Sequence, residues 1–185
     1  MKIGTLEIND RVFISDPCYD KGTWCTTLTD IDFGKYNCFV DRTKDGIIKE
    51  LYIIKDGYKI SDCYFITGEN AELGNCGVDS GQLGIFNYDK FKGHIDKKEF
   101  NKSLKNDFPY EDWKRMYDEK DNDVDTFYKC CCNHTLNKKR VGIIKGMGIV
   151  SSSGYGDGCY PVYPIKIYKF THYETVGLHI PFVFD

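Results

Sequence analysis

The stretch with most to offer chemically is Ser151-Ser152-Ser153-Gly154-Tyr155-Gly156-Asp157-Gly158-Cys159-Tyr160. Three glycines in five positions beside a strand-like run free the backbone to approach a ligand closely. Successive amides in such a loop can form a nest for an anion. Ser153 adds a hydroxyl, Asp157 can accept from hydroxyls, and Tyr155 can stack on a ring. Gly154 and Gly156 supply the conformational freedom. The Gly-Lys-Ser/Thr ending of a Walker loop is missing, and no helix pattern follows as a dinucleotide fingerprint would need. Gly-Asp-Gly is also ordinary turn chemistry, so a β-turn between two strands is the competing account.

Two further segments carry polar groups on marked turns. Val78-Asp79-Ser80-Gly81-Gln82 offers a carboxylate, a hydroxyl and an amide around one glycine. The Gln82 amide can both donate and accept, which suits the edge of a heterocycle. A polar hairpin tip is the alternative. Ser15-Asp16-Pro17-Cys18-Tyr19 presents Asp16, Cys18 and Tyr19 from a proline-fixed turn. Cys18 as a nucleophile would need a base and a depressed pKa. The histidines are His94, His134, His172 and His179, and none stands in a cysteine-hydrolase setting. Cys130-Cys131-Cys132-Asn133-His134 invites a zinc reading, but it lacks a CxxC pair and four spaced ligands. Buried thiols on a helix account for it better. If the three loops converge, Asp16, Asp79 and Asp157 make an acidic pocket. Such a pocket could run acid–base chemistry, bind a cation or grip sugar hydroxyls.

The elements that must position these loops are mostly strands. Lys2–Ile8 alternates, meets Asn9-Asp10, and continues as Arg11–Ser15, which predicts an opening hairpin. Lys35–Asp41 and Ile47–Ile54 flank Lys44-Asp45-Gly46, a strong hairpin signal, and Lys55-Asp56-Gly57 turns toward a strand ending near Ile60. Cys63–Thr67 and Gly84–Phe86 are strand candidates, with Gly68–Gly81 between them as loop. Lys97–Lys105, Pro109–Tyr117 and Asp125–Cys132 have helical character, so residues 97–132 form a short helical insert. Arg140–Ile144, Gly148–Ser151, Tyr160–Tyr163, Ile165–Phe170 and Val176–Phe184 return to strands. The expected fold is one α+β domain over residues 1–185, a mainly antiparallel sheet or open sandwich.

Composition supports that outline. The chain has 185 residues, 41% hydrophobic and 29% charged, enough for a real core without staples. Aromatic residues reach 15%, and Ala71 is the only alanine, so strands are favoured over helices. A net charge of −3 argues against binding a nucleic-acid polymer. No apolar run is long enough to span a bilayer. Nine cysteines and an N-terminus that turns polar early point to reduced thiols in a cytoplasm. Lysine outnumbers arginine 21 to 4, the codon bias of a low-GC bacterium or its phage. Exposed strand edges are compatible with a homodimer.

The Asp-Pro-Cys-Tyr, Val-Asp-Ser-Gly-Gln-Leu-Gly-Ile-Phe and Ser-Ser-Ser-Gly-Tyr-Gly-Asp-Gly motifs occur in that order. Phe127-Tyr128-Lys129-Cys130-Cys131 and Thr135-Leu136 lie between the second and the third. In these motifs the chain resembles the domain-of-unknown-function family 4241, found in small bacterial and phage proteins. The resemblance implies one β-rich domain whose three loops belong to one site. The residues themselves favour a non-enzymatic small-molecule binder that needs no cofactor. A nucleotide-derived ligand would use each part: the backbone amides and serine hydroxyls of Ser151–Gly158 for phosphate, Asp79 or Asp157 for ribose, Tyr19 or Tyr155 for the base. In a phage setting such a binder would sequester a host immune signal. A carboxylate-based hydrolase or nucleotide-cleaving enzyme using Asp16, Asp79 and Asp157 is the first alternative. An immunity or inhibitor module docking through the acidic stretch Asp107–Asp125 is the second.

Overall fold

A computed structural model describes residues 1–104 and 126–184. The expected helix at Pro109–Tyr117 and the acidic docking stretch at Asp107–Asp125 lie outside the described residues. The chain forms two antiparallel sheets packed face to face, with the strand-rich content that the composition leads one to expect. The larger holds β1 (Lys2–Ile8), β4 (Gly34–Arg42), β5 (Ile48–Lys55), β12 (His172–Pro181) and β11 (Gly158–Lys169) in that order. Both β6 (Tyr64–Phe65) and β7 (Gly74–Val78) pair along the outer edge of β11. The smaller sheet runs β3 (Thr26–Leu28), β2 (Val12–Ser15), β8 (Gln82–Asn87), β10 (Gly148–Ser152) and β9 (Val141–Ile144).

The core lies between the sheets, where Leu6, Val40, Ile53 and Leu178 of one meet Ile14, Leu83, Ile85 and Ile149 of the other. The outer face of the smaller sheet is covered by α1 (Lys97–Leu104) and α2 (Thr126–Thr135). There Phe13, Phe86 and Val150 pack with Phe91, Phe127, Cys130 and Cys131. The vicinal cysteines thus serve as small core residues, and burial pushes the Cys130 thiol up to about 11. On the outer face of the larger sheet, His179 is buried between the Glu50 carboxylate and the Ile66 carbonyl, 2.8 Å from the latter.

The strand expected to end near Ile60 is instead a short 3-10 turn, Ile60–Asp62, and three further expectations change. First, β1 and β2 do not pair with each other; β1 pairs with β4, and β2 pairs with β3 and β8. Asn9-Asp10 is a corner between the sheets rather than a hairpin turn. The Asn87 side chain holds the corner, accepting from the Asn9 amide at 2.9 Å and donating to the Glu7 carbonyl at 2.8 Å. Second, Tyr160–Tyr163 and Ile165–Phe170 are parts of one strand despite Pro161 and Pro164. Pro164 turns toward the seam between β6 and β7, where Leu73 and Ile66 donate to Val162 and Pro164 and no proline N–H is needed. Third, Gly68–Gly81 contains β7. Its glycines read as loop, but they are sites of close approach. A Cβ at Gly74 would fall 2.3 Å from Thr26 Oγ1, and one at Gly77 would fall 2.9 Å from the Trp24 ring.

Candidate functional site

The three marked loops converge, through backbone contacts that begin at Asp16. This residue follows β2, and Pro17 bends the chain so that the Tyr19 amide donates to the Asp16 carbonyl at 3.2 Å. The Asp16 side chain is fully buried. Its Oδ1 accepts from the Cys18 amide at 2.9 Å and the Ser80 hydroxyl at 2.6 Å. Its Oδ2 accepts from the amides of Asp79 at 2.9 Å and Ser80 at 2.7 Å. Both oxygens are therefore saturated by the first two loops. The second loop then meets the third, where the Ser153 amide donates to the Gly81 carbonyl at 3.0 Å.

The glycine-rich loop is a tight turn between β10 and β11. The Gly156 amide donates to Ser153 O at 2.9 Å. Gly154 has φ of +59° while Tyr155 keeps negative φ, the signature of a type II′ turn. A side chain at Gly154 would also meet Phe182, whose Cβ is 2.9 Å from the ideal position. The Ser153 hydroxyl donates back to Gly156 O at 2.8 Å. The Tyr160 hydroxyl lies 3.0 Å from Ser153 O and 2.7 Å from Gly156 O, bridging the turn. Two amides of the expected nest are thus bonded within the protein. Ser153 is buried beneath the turn, and Tyr155 stands 76% exposed at its tip.

What the loops frame is a cleft of about 690 Å³. Asp79 lines one side and Asp157 another, with Gly77 and Cys159 of the paired strands β7 and β11 on the floor. Trp24, which the motifs did not single out, forms a wall. Trp24 is held in a left-handed conformation with φ of +43°, and the residue remains 63% exposed. Its carbonyl accepts from the Gly77 amide at 2.9 Å, and Tyr19 meets the ring edge-on at a centroid distance of 5.5 Å. The Tyr19 hydroxyl is buried without a hydrogen-bond partner. Burial and the neighbouring Asp79 carboxylate push its pKa up. The signal available in the sequence is a lone tryptophan in a polar stretch, facing a strand whose glycines read as loop.

Gln82 lies elsewhere, on the helix-facing side of β8, donating to Cys132 Sγ at 3.3 Å. Its carbonyl oxygen and the hydroxyls of Ser151 and Ser152 are buried without partners. Cys18 is exposed, yet its thiol is pushed up to about 12 by burial of the sulfur and the Asp16 carboxylate, with Asp79 adding to the shift. That environment opposes the thiolate a nucleophile needs.

The model of a protein family described as "Protein of unknown function (DUF4241)" matches residues 67–167. The chain belongs to that family. The matched stretch of this DUF4241 protein carries the second and third loops, β7 to β10 and most of β11. The Asp16 loop and Trp24 precede it. No curated protein and no solved structure gives a match. Among the described residues, no helix is long and apolar enough to cross a membrane.

Proposed function

We propose that this DUF4241 protein binds a small molecule without transforming it, and that the ligand sits in the cleft between Trp24, Asp79 and Asp157. The observation that carries the reading is Trp24. A large aromatic residue in a left-handed backbone costs free energy, on the order of 1 kcal/mol, and persists only where the surroundings enforce it. Here the enforced position leaves the ring facing a cleft of ligand size between two exposed carboxylates. A stacked base or sugar, with hydroxyls donating to the carboxylates, uses every part of it.

The hydrolase alternative is weaker. Asp16 is committed to holding the loops, and Cys18 is disfavoured as a thiolate. Among the described residues no cysteine is joined in a disulfide, which suits a reducing cytoplasm. The role such a binder would fill, in a phage-infected bacterium, is sequestration of a nucleotide-derived signal recognised through its nucleoside part. The test is to load the protein from a metabolite extract, desalt it, and identify what is released on denaturation. The reading expects a ligand recovered unaltered after hours of incubation. Progressive conversion of that ligand would overturn the non-catalytic reading.

A further inference from the structure

Resting on that reading of the cleft, we infer that the moiety bound against Trp24 is an uncharged, hydroxyl-bearing ring, a ribose or other sugar, and not a phosphate. The argument is the balance of donors and acceptors on the walls. Among the described residues, the side chains lining the cleft include two carboxylates, Asp79 and Asp157, and no lysine, arginine or histidine. One N–H of the Asn75 side-chain amide is already bonded to Glu72 Oε2 at 2.7 Å, which leaves a single neutral donor there. The amides of Ser153 and Gly156, the natural donors to an anion, point into the protein and bond Gly81 O and Ser153 O. A phosphate placed here would face two negative charges and few donors. At a few ångströms even partly screened like charges repel.

A sugar reverses every one of these terms. Its hydroxyls donate, and carboxylates are the strongest acceptors a protein offers. Its C–H face is apolar and fits the exposed side of the Trp24 ring, which lies across Gly77 with no intervening side chain. The shared chemistry covers two sources, a nucleoside and a free glycoside.

The test uses the full chain carrying Trp113→Phe, so that tryptophan emission reports Trp24 alone. It is titrated with the four ribonucleosides, their 5′-monophosphates, and methyl glycosides of ribose, glucose, galactose and mannose. The expected result is a saturable change with at least one nucleoside or glycoside. Where a nucleoside binds, its monophosphate should bind at least tenfold more weakly. Asp157→Asn should weaken the uncharged ligand about tenfold and narrow the gap to the monophosphate. Binding of nucleosides without methyl riboside assigns the ligand to the nucleoside source; binding of methyl glycosides assigns it to the sugar source. A monophosphate that binds as tightly as its nucleoside, with Asp157→Asn indifferent, would overturn the sugar assignment and leave the cleft as the site. If nothing in the panel perturbs Trp24, the sugar assignment also fails. If, in addition, Trp24→Ala protein retains its co-purified ligand, the cleft itself is the wrong site.

Discussion

Two polar regions lie a few residues apart and use the same residue types to opposite ends. In the first, Asp16 is buried and its two oxygens accept four hydrogen bonds from Cys18, Asp79 and Ser80. In the second, Asp79 and Asp157 project from neighbouring turns into an open cleft beside an exposed tryptophan. The first region is closed and satisfied, so it holds the loops in place. The second is open, strained at Trp24 and rich in acceptors, so it has capacity left for a ligand. An aspartate in a marked turn is therefore uninformative until its burial is known. The glycine-rich loop belongs with the first region more than with the second, since Ser153, the Gly156 amide and Tyr160 bond one another and the Ser153 amide bonds Gly81 O.

The contrast can be broken most sharply at Asp16. Asp16→Ala leaves three amides and a hydroxyl without their acceptor, at about 1–3 kcal/mol for each group left buried and unsatisfied. With partial rescue by water, a loss of about 3 kcal/mol and a fall of ~10 °C in melting temperature is expected. An unchanged melting curve would mean that the loops do not depend on this carboxylate. Trp24→Gly should separate stability from binding. Glycine tolerates positive φ, so the variant should melt at or slightly above the parent temperature while ligand affinity falls at least tenfold. Loss of both together would make Trp24 a structural residue.

Smaller effects sharpen the same picture. Cys18, though exposed, should react with iodoacetamide at neutral pH several-fold more slowly than glutathione. Asp16→Asn should speed it, because the carboxylate helps to suppress the thiolate. Equal rates, read by mass spectrometry of tryptic peptides, would remove the proposed influence. The smallest expected effect concerns pH. Burial lowers the His134 pKa from its usual 6.5, so the folded state resists a proton that the unfolded chain accepts. Stability should therefore be constant above about pH 6.5 and fall as pH drops below it toward the folded value. Urea titrations at pH 7.5 and 5.5 read the difference, which should shrink in His134→Gln.

Much of the fold was legible because local signals and the final structure agree. Asp45-Gly46 marks the β4–β5 hairpin, with Gly46 at φ of +82°. The vicinal cysteines read correctly as buried helical thiols. What the chain did not announce was tertiary in origin. Asn9-Asp10 carries no mark that distinguishes a hairpin from a corner between sheets; only the distant Asn87 decides it. The strand β7 is hidden because Thr26 and Trp24 pack directly on its backbone and require glycine there. The convergence of the three loops was anticipated, and so were Asp79 and Asp157 at the cleft. Trp24 was missed because its partner strand was missed. Asp16 and Ser153 were expected to touch ligand, whereas their burial gives them the task of holding the loops.

The most direct measurement is native mass spectrometry of the protein and its Trp24→Ala variant, purified side by side from the same cells. The cleft reading predicts a small-molecule adduct on the parent protein that is absent from an otherwise folded variant. An identical adduct on both, or an adduct lost only when the variant unfolds, would contradict it.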